Sequence, residues 1–427
     1  MGDGSDRKGL LGLCTICVSA FLIFLSYNSM QNLESSVNKG DGTTAVGVIY
    51  LAIICGTPLA PRVMGTLGRK WALVLSACTY VAFIASNLYP VWQVMIPAAV
   101  ILGTGGAVLW PTILSLLKHF SQLHARSRGA DEGKCLDHFS SAFWGSFQFA
   151  QLTGSLMIFL IIRKGGEDAS KAETLLAIVY TGCSALGCFL IFALLEDVDK
   201  GDGEPRGEGE GDGDKDGGGL SAVVDRLMEP KSLLLAGVYF YNGIEQSFAW
   251  CVFTSEMVLP AFGGNEAMIG ILMLTYAGVD AAVGSLAAQL PSTKRTTRIS
   301  IAVAIVLQCA GVLGYRYLLL DSVPALYASA VALGAGDALL NTKIGVLLGL
   351  EYGKGGEHRH MVTAWRGVTA LGCALPFFLS GHTGLDFNVW LLAGSGLVGL
   401  AMFAGSVAEE EGRGRATHPS RCEPLPR

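Results

Sequence analysis

The chain is short of charge. Asp, Glu, Lys and Arg make up 15% of its 427 residues, where soluble domains carry about 25%. That deficit argues against a soluble helical bundle, whose helices would each need a polar face; "ILMLTYAGVDAAVGSLAAQL" (271–290) offers almost none. No Asn-x-Ser/Thr sequence occurs, so N-glycosylation is excluded. Nucleophile elbow and P-loop are both missing. "GTGGAV" (103–108) lacks the last glycine of a dinucleotide fingerprint and follows no strand. No enzymatic activity, cofactor or nucleic-acid partner is expected. Eleven cysteines are present, but nine fall in apolar runs, where cysteine behaves as a small apolar residue. "CTIC" (14–17) has redox spacing at lipid depth. His119, His124, Cys135 and His138 share one loop at irregular spacing, whereas zinc needs tight paired ligands, so no metal is expected.

What the chain has is apolar length. Twelve runs approach or exceed the roughly 20 residues that span a bilayer as helix. They lie near 10–33, 45–64, 71–89, 92–117, 139–162, 173–195, 232–258, 267–290, 299–319, 323–347, 361–381 and 386–407. Helices are the expected form, because backbone groups in hydrocarbon must be satisfied within the segment. The first run lacks a small-residue cleavage site and reads as a span that stays. Of 30 Lys and Arg residues, 25 fall on the side of the N-terminus; Lys39, Arg163, Lys164, Lys171 and Arg316 fall on the other. This bias places both termini in the cytoplasm, with the host membrane either the plasma membrane or an endomembrane.

The runs form two copies of one unit. "YNSMQN" (27–32) returns as "YNGIEQ" (241–246), and "VGVIYLAIICGT" (46–57) as "IGILMLTYAGVD" (269–280). "LGTGGAVLWPT" (102–112) returns as "LGAGDALLNTK" (333–343), and "AFWG" (142–145) as "AWRG" (364–367). Two parallel six-helix units on one long linker is the organisation of the major facilitator superfamily. The expected fold is therefore an all-α membrane protein with twelve transmembrane helices in two pseudo-symmetric halves. The halves are 1–195 and 232–407, the linker 196–231, and 408–427 a disordered tail.

"QNLESSVN" (31–38), "GRKWALVLSACTYVAFIASNLYPVW" (68–92), "LGTGGAVLW" (102–110), "GSFQFAQLTGSL" (145–156) and "YNGIEQSFAWCVFTSEMVLPAFGG" (241–264) resemble the uncoordinated-ninety-three family of ion channel regulatory proteins. The fourth span departs from the family at "WPTILSLL", and "GTLGRK" (65–70) keeps only part of the superfamily's loop motif. The resemblance implies either a transporter in ion or small-solute homeostasis, potassium included, or a non-transporting partner. Such a partner would be a regulatory subunit of a potassium channel or a trafficking chaperone for other membrane proteins.

Residues 196–219 hold ten acids against three bases and nearly alternate with Gly. Such a segment cannot bury enough apolar area to order itself and reads as a flexible tether. "DGDKDG" (212–217) opens like a calcium loop, but its closing position falls on Val223. The informative residues are charges inside spans, where burial in lipid costs about 2.5–3.5 kcal/mol and forces an interior position. Glu245, Asp280, Asp337, Lys343 and Arg366 all fall in the second half; their counterparts in the first are Gln31, Thr57, Gly106, Thr112 and Trp144. With Tyr241, Asn242, Gln246 and Asn341, these five and Gln31 form the expected binding or coupling set, taking a proton or cation with a small solute. The bland reading is internal ion pairing. Depth along spans ten and eleven predicts that Asp337 and Arg366 meet. Glu34 and Glu256 are expected near a surface, solvated.

Overall fold

The computed structural model describes residues 2–37, 40–165, 169–198, 224–225, 227–291, 293–318, 322–352 and 356–417. Every regular element among them is helical. The first half holds α1 (Gly2–Val37), α2 (Asp41–Gly56, extended by Thr57–Leu59 and Ala60–Leu67), α3 (Arg69–Ser86), α4 (Trp92–Arg128), α5 (Glu132–Gly165) and α6 (Ala169–Leu194). The second holds α7 (Pro230–Ser247, continued as a π-helical stretch Phe248–Val258), α8 (Ala267–Gln289), α9 (Lys294–Leu313), α10 (Val323–Tyr352), α11 (Gly356–Leu379) and α12 (Leu385–Thr417). Ten of the described helices are long and apolar enough to cross a membrane. The other two are α3, which opens on Arg69 and Lys70, and α7, whose regular helix gives way to the π-helical stretch.

Helices overrun the apolar segments. α4 continues to Arg128 and α12 to Thr417, past expected span ends at 117 and 407. Bilayer thickness limits the apolar run and not the helix. In α12 the continuation "AEEEGRGRAT" is rich in helix-forming Ala, Glu and Arg, so 408–417 is helical rather than disordered. Residues 199–223, most of the linker and the whole "DGDKDG" segment, lie outside the described residues.

The repeated glycine motif explains how each half packs. A Cβ on Gly103 of α4 would lie 2.4 Å from the Ile49 carbonyl oxygen of α2, and one on Gly334 of α10 would lie 2.4 Å from the Tyr276 carbonyl oxygen of α8. Two residues on, Gly105 presses on Thr79 of α3 and Gly336 on Gln308 of α9. Both motifs thus bring the fourth helix of a half against the second and the third, and only a missing side chain permits that approach. Each half builds its own apolar core: one cluster runs from Ile16 to Val198 and takes in Ala267 from the second half, the other runs from Leu235 to Phe403.

The halves meet along α2 with α11 and α5 with α8. These seams are tight away from the N-terminal end. Gly47 lies against Phe378, Tyr50 stacks on Phe377 at 5.8 Å, and Gly270 abuts Ser155 and Phe159. α1 also contacts the π-helical end of α7. Toward the N-terminal end the facing helices are uncovered: Ser141, Ala142, Trp144 and Gly145 of α5, Ser285 and Leu286 of α8 and Arg366 of α11 are exposed. Tight seams at the far end and exposed side chains on the facing helices at the other fit a cleft between the halves that opens at the end that holds the N-terminus.

Candidate functional site

Three acids from three helices of the second half gather above the floor of this cleft. Glu245 (α7), Asp280 (α8) and Asp337 (α10) are all buried. Their placement follows from the glycine motif. Gly334 and Gly336 draw α10 onto α8 and α9, and the next residue, Asp337, is delivered against both α8 and α7. Tyr276 donates to Asp337 Oδ2 at 2.8 Å; Gln246 and Asn341 donate to Oδ1 at 3.2 and 2.5 Å. The Glu245 carboxyl lies beside that of Asp337, close enough for the two to interact directly. Gln308 of α9 donates to Glu245 Oε2 at 2.7 Å and to the Leu333 carbonyl, and accepts from the Tyr241 hydroxyl at 2.9 Å. Gln148 of α5 donates to Asp280 Oδ2 at 2.6 Å, which ties the set to the other half.

Neither in-span cation neutralises these acids. Lys343 is buried and donates to the Ala287 carbonyl at 2.8 Å, where it closes the last turn of α8. Arg366 lies over the Trp365 ring at 4.5 Å and reaches no acid among the described residues. The expected Asp337–Arg366 contact is therefore not made. The two do not lie at one level: Cys373, two turns beyond Arg366 on α11, is the residue that reaches Gln246, which donates to Asp337, so Arg366 sits about 11 Å nearer the N-terminal end than the acids. Three ionised carboxylates without a cation would be prohibitively costly in a dry interior. Two carboxylates held side by side repel each other unless one of them carries a proton, which is the chemistry a proton-handling pair needs.

Of the remaining sequence candidates, Tyr241, Gln246 and Asn341 join the acidic set. Asn242 is buried one turn from Glu245 and Gln246, and neither of its amide atoms is bonded among the described residues. Gln31 lies apart, in the first half, and donates to the Tyr50 hydroxyl at 3.4 Å. Glu256 accepts from Asn388 at 3.1 Å; the Glu34 side chain lies outside the described residues. His124 pairs with Asp6 at 2.6 Å, and the loop histidines and Cys135 form no metal-holding group among the described residues. Sequence reasoning missed Gln148, Tyr276 and Gln308. Each is an uncharged polar residue in an apolar run, and only Gln308, alone in "AIVLQCAGVL", carried a signal that could have been read.

The positions equivalent to this set in the first half carry no charge, and several are aromatic or bonded within their own helix. Thr57 and Thr112 donate to carbonyls of their own helices. Trp110, which matches Asn341, stacks on Trp144 at 5.9 Å and on Phe24 at 5.0 Å. Phe147 and Tyr80 complete the cluster, with Phe147 5.7 Å from Trp110 and Tyr80 5.7 Å from Phe24.

The twelve helices among the described residues, in two six-helix halves, define a multi-pass membrane protein of the major facilitator fold. Solved structures agree: a mutant of the nucleoside transporter NupG superposes with a TM-score of 0.68 over 92% of this chain and 99% of its own, at 13% identity. A D-xylose-proton symporter gives 0.65 over 94% and 96%, also at 13%. Within that fold the chain belongs to the UNC-93 family, described as "Ion channel regulatory protein UNC-93", whose profile matches residues 33–328. UNC93-like protein 3 of Arabidopsis thaliana is 32% identical over 90% of this chain and 84% of its own length. Protein unc-93 homolog A of Bos taurus is 27% identical over 92% of each.

Proposed function

We propose that this chain is a secondary transporter that moves a small solute together with a proton held by Glu245, Asp337 and Asp280. One observation carries the reading: three buried carboxyls converge between the halves with no cation beside them among the described residues, and one of them, Asp280, is bonded across the seam to Gln148. A group that gains or loses a proton there changes a bond between the halves. Rocking of the halves about a midplane site is how such folds expose it to each side in turn. On this reading the halves are 1–195 and 232–407, the 196–231 linker is a cytoplasmic tether, and the cleft opens to the cytoplasm, as the basic bias of that end indicates.

The test is flux into proteoliposomes driven by an imposed pH gradient, with Asp337→Asn beside the wild type. Proton-linked flux that disappears in Asp337→Asn supports the reading. Absence of any proton-linked or K⁺ flux would favour the second reading, a non-transporting regulator of a potassium channel or another membrane protein. The family's description as ion channel regulatory supports that second reading.

A further inference from the structure

We infer that the cleft binds an organic anion with a flat aromatic body, gripped by Arg366 on one wall and by Trp144 and Trp110 on the other. This rests on the transport reading only for its consequence; the binding site stands by itself. Arg366 is exposed, yet it lies on the inner face of α11. Cys373, two turns on along the same face, is buried and within 3.9 Å of Gln246 Oε1. Leu371, 50% exposed, lies well round the helix from that face. The guanidinium stacks on Trp365, which leaves its edge of N–H donors free, and no acid reaches it among the described residues. A guanidinium edge in a sheltered cleft is a carboxylate-binding group.

The opposite wall is supplied by the repeat. Trp144 occupies the position of Arg366 in the first half, so the two face the shared cleft from opposite sides. Trp144 is 38% exposed and shares its face with Gln148, one turn on, which reaches across to Asp280. Its ring lies nearly parallel to that of Trp110, at 16°, and Phe147 packs against both. This is a rigid flat surface that suits a planar ring. The acids do not compete for the role of ligand anchor. Glu245, Asp280 and Asp337 already accept from Gln308, Gln148, Tyr276, Gln246 and Asn341, so the open charge that a ligand meets is positive. Cys373 marks the carboxyl layer, and two turns place Arg366 about 11 Å nearer the cleft mouth. A proton on that layer weakens repulsion of a bound anion, and a bound anion in turn favours the proton, so the two ligands assist each other.

Equilibrium binding to the purified full chain tests this with three probes of one shape: naphthalene-2-carboxylate, 2-naphthylmethylammonium and 2-naphthylmethanol. The carboxylate should bind best. Arg366→Gln should weaken it about 10- to 100-fold while leaving the alcohol unchanged, the loss typical of one charge-assisted bond. Trp144→Ala should weaken carboxylate and alcohol alike, and Trp144→Phe should restore most of that loss. Preference for the ammonium probe, no binding of any probe, or carboxylate binding indifferent to both Arg366→Gln and Trp144→Ala would overturn the proposal. Binding as described in a protein without proton-driven flux would sink the transport reading and leave the anion site standing.

Discussion

Trp110 and Asn341 occupy one position of the repeat, and Trp144 and Arg366 another. In the first half these positions hold stacked rings; in the second they hold a hydrogen-bonded acidic set and an exposed guanidinium. The glycines that position them are the same in both halves, and so are the close approaches they permit. The comparison teaches that the scaffold and the chemistry are separable. Helix packing is copied between the halves, while the groups that handle charge are confined to one of them. That division gives four ways to strain the comparison.

The largest effect is expected from the shared scaffold. Gly103→Val and Gly334→Val each drive a side chain into a backbone carbonyl 2.4 Å away, which no rotamer can relieve. Overpacking costs about 1–3 kcal/mol even where neighbours can move. Both variants should lose most folded protein on size-exclusion chromatography, and to the same degree. Tolerance of one and not the other would show that the halves are not built alike.

Next comes an exchange of chemistry. Gly106→Asp places an acid at the first-half equivalent of Asp337, where a Cβ meets the Tyr80 hydroxyl at 3.3 Å and otherwise apolar Ile53. It should cost about 2.5–3.5 kcal/mol in thermal stability. Asp337→Asn keeps the Tyr276 contact and should melt close to the wild type.

A smaller, pH-dependent effect belongs to the far-end seam. Glu266, in the turn before α8, lies beside Glu173 of α6, and Ala267 next to it packs into the first-half core. Burial, and then the Glu173 charge, push the Glu266 carboxyl from 4.5 up to about 7. Between those values the folded chain holds a proton that the unfolded chain has lost. Stability should therefore fall as pH rises through that range, with the full cost above it. Glu266→Gln should flatten this dependence and raise the melting temperature above pH 7. An unchanged pH profile would show that the seam carboxyls do not share a proton.

The smallest effect is expected from deleting 203–217. Loop-closure cost changes by about 0.6 kcal/mol per doubling of length, so stability and flux should barely move. A large loss would mean that the acidic run binds something.

The sequence showed the repeat, the twelve runs and the confinement of in-span charge to the second half, because each is a one-dimensional pattern. It did not show how the helices slide past one another. Counting residues from the span ends puts Asp337 and Arg366 at similar depths, yet Cys373, two turns beyond Arg366, is the α11 residue beside Gln246 and Asp337. Nor did it show the neutral donors Gln148, Tyr276 and Gln308. A glutamine or tyrosine in an apolar helix often satisfies itself locally, so only the neighbouring helices reveal that these three serve the acids. The ends of α4 and α12 were misplaced because apolar length marks the membrane and not the helix.

The central claim is that Glu245 and Asp337 share a proton, and that no such pair of carboxyls lies within the first half among the described residues. Infrared spectroscopy of the purified protein reads protonated carboxyl groups directly through their carbonyl stretch. At neutral pH the wild type should show a protonated-carboxyl band that Asp337→Asn and Glu245→Gln each remove or shift, while Trp110→Phe leaves it intact. A wild-type spectrum whose protonated-carboxyl region is unaffected by Asp337→Asn and by Glu245→Gln would contradict the account.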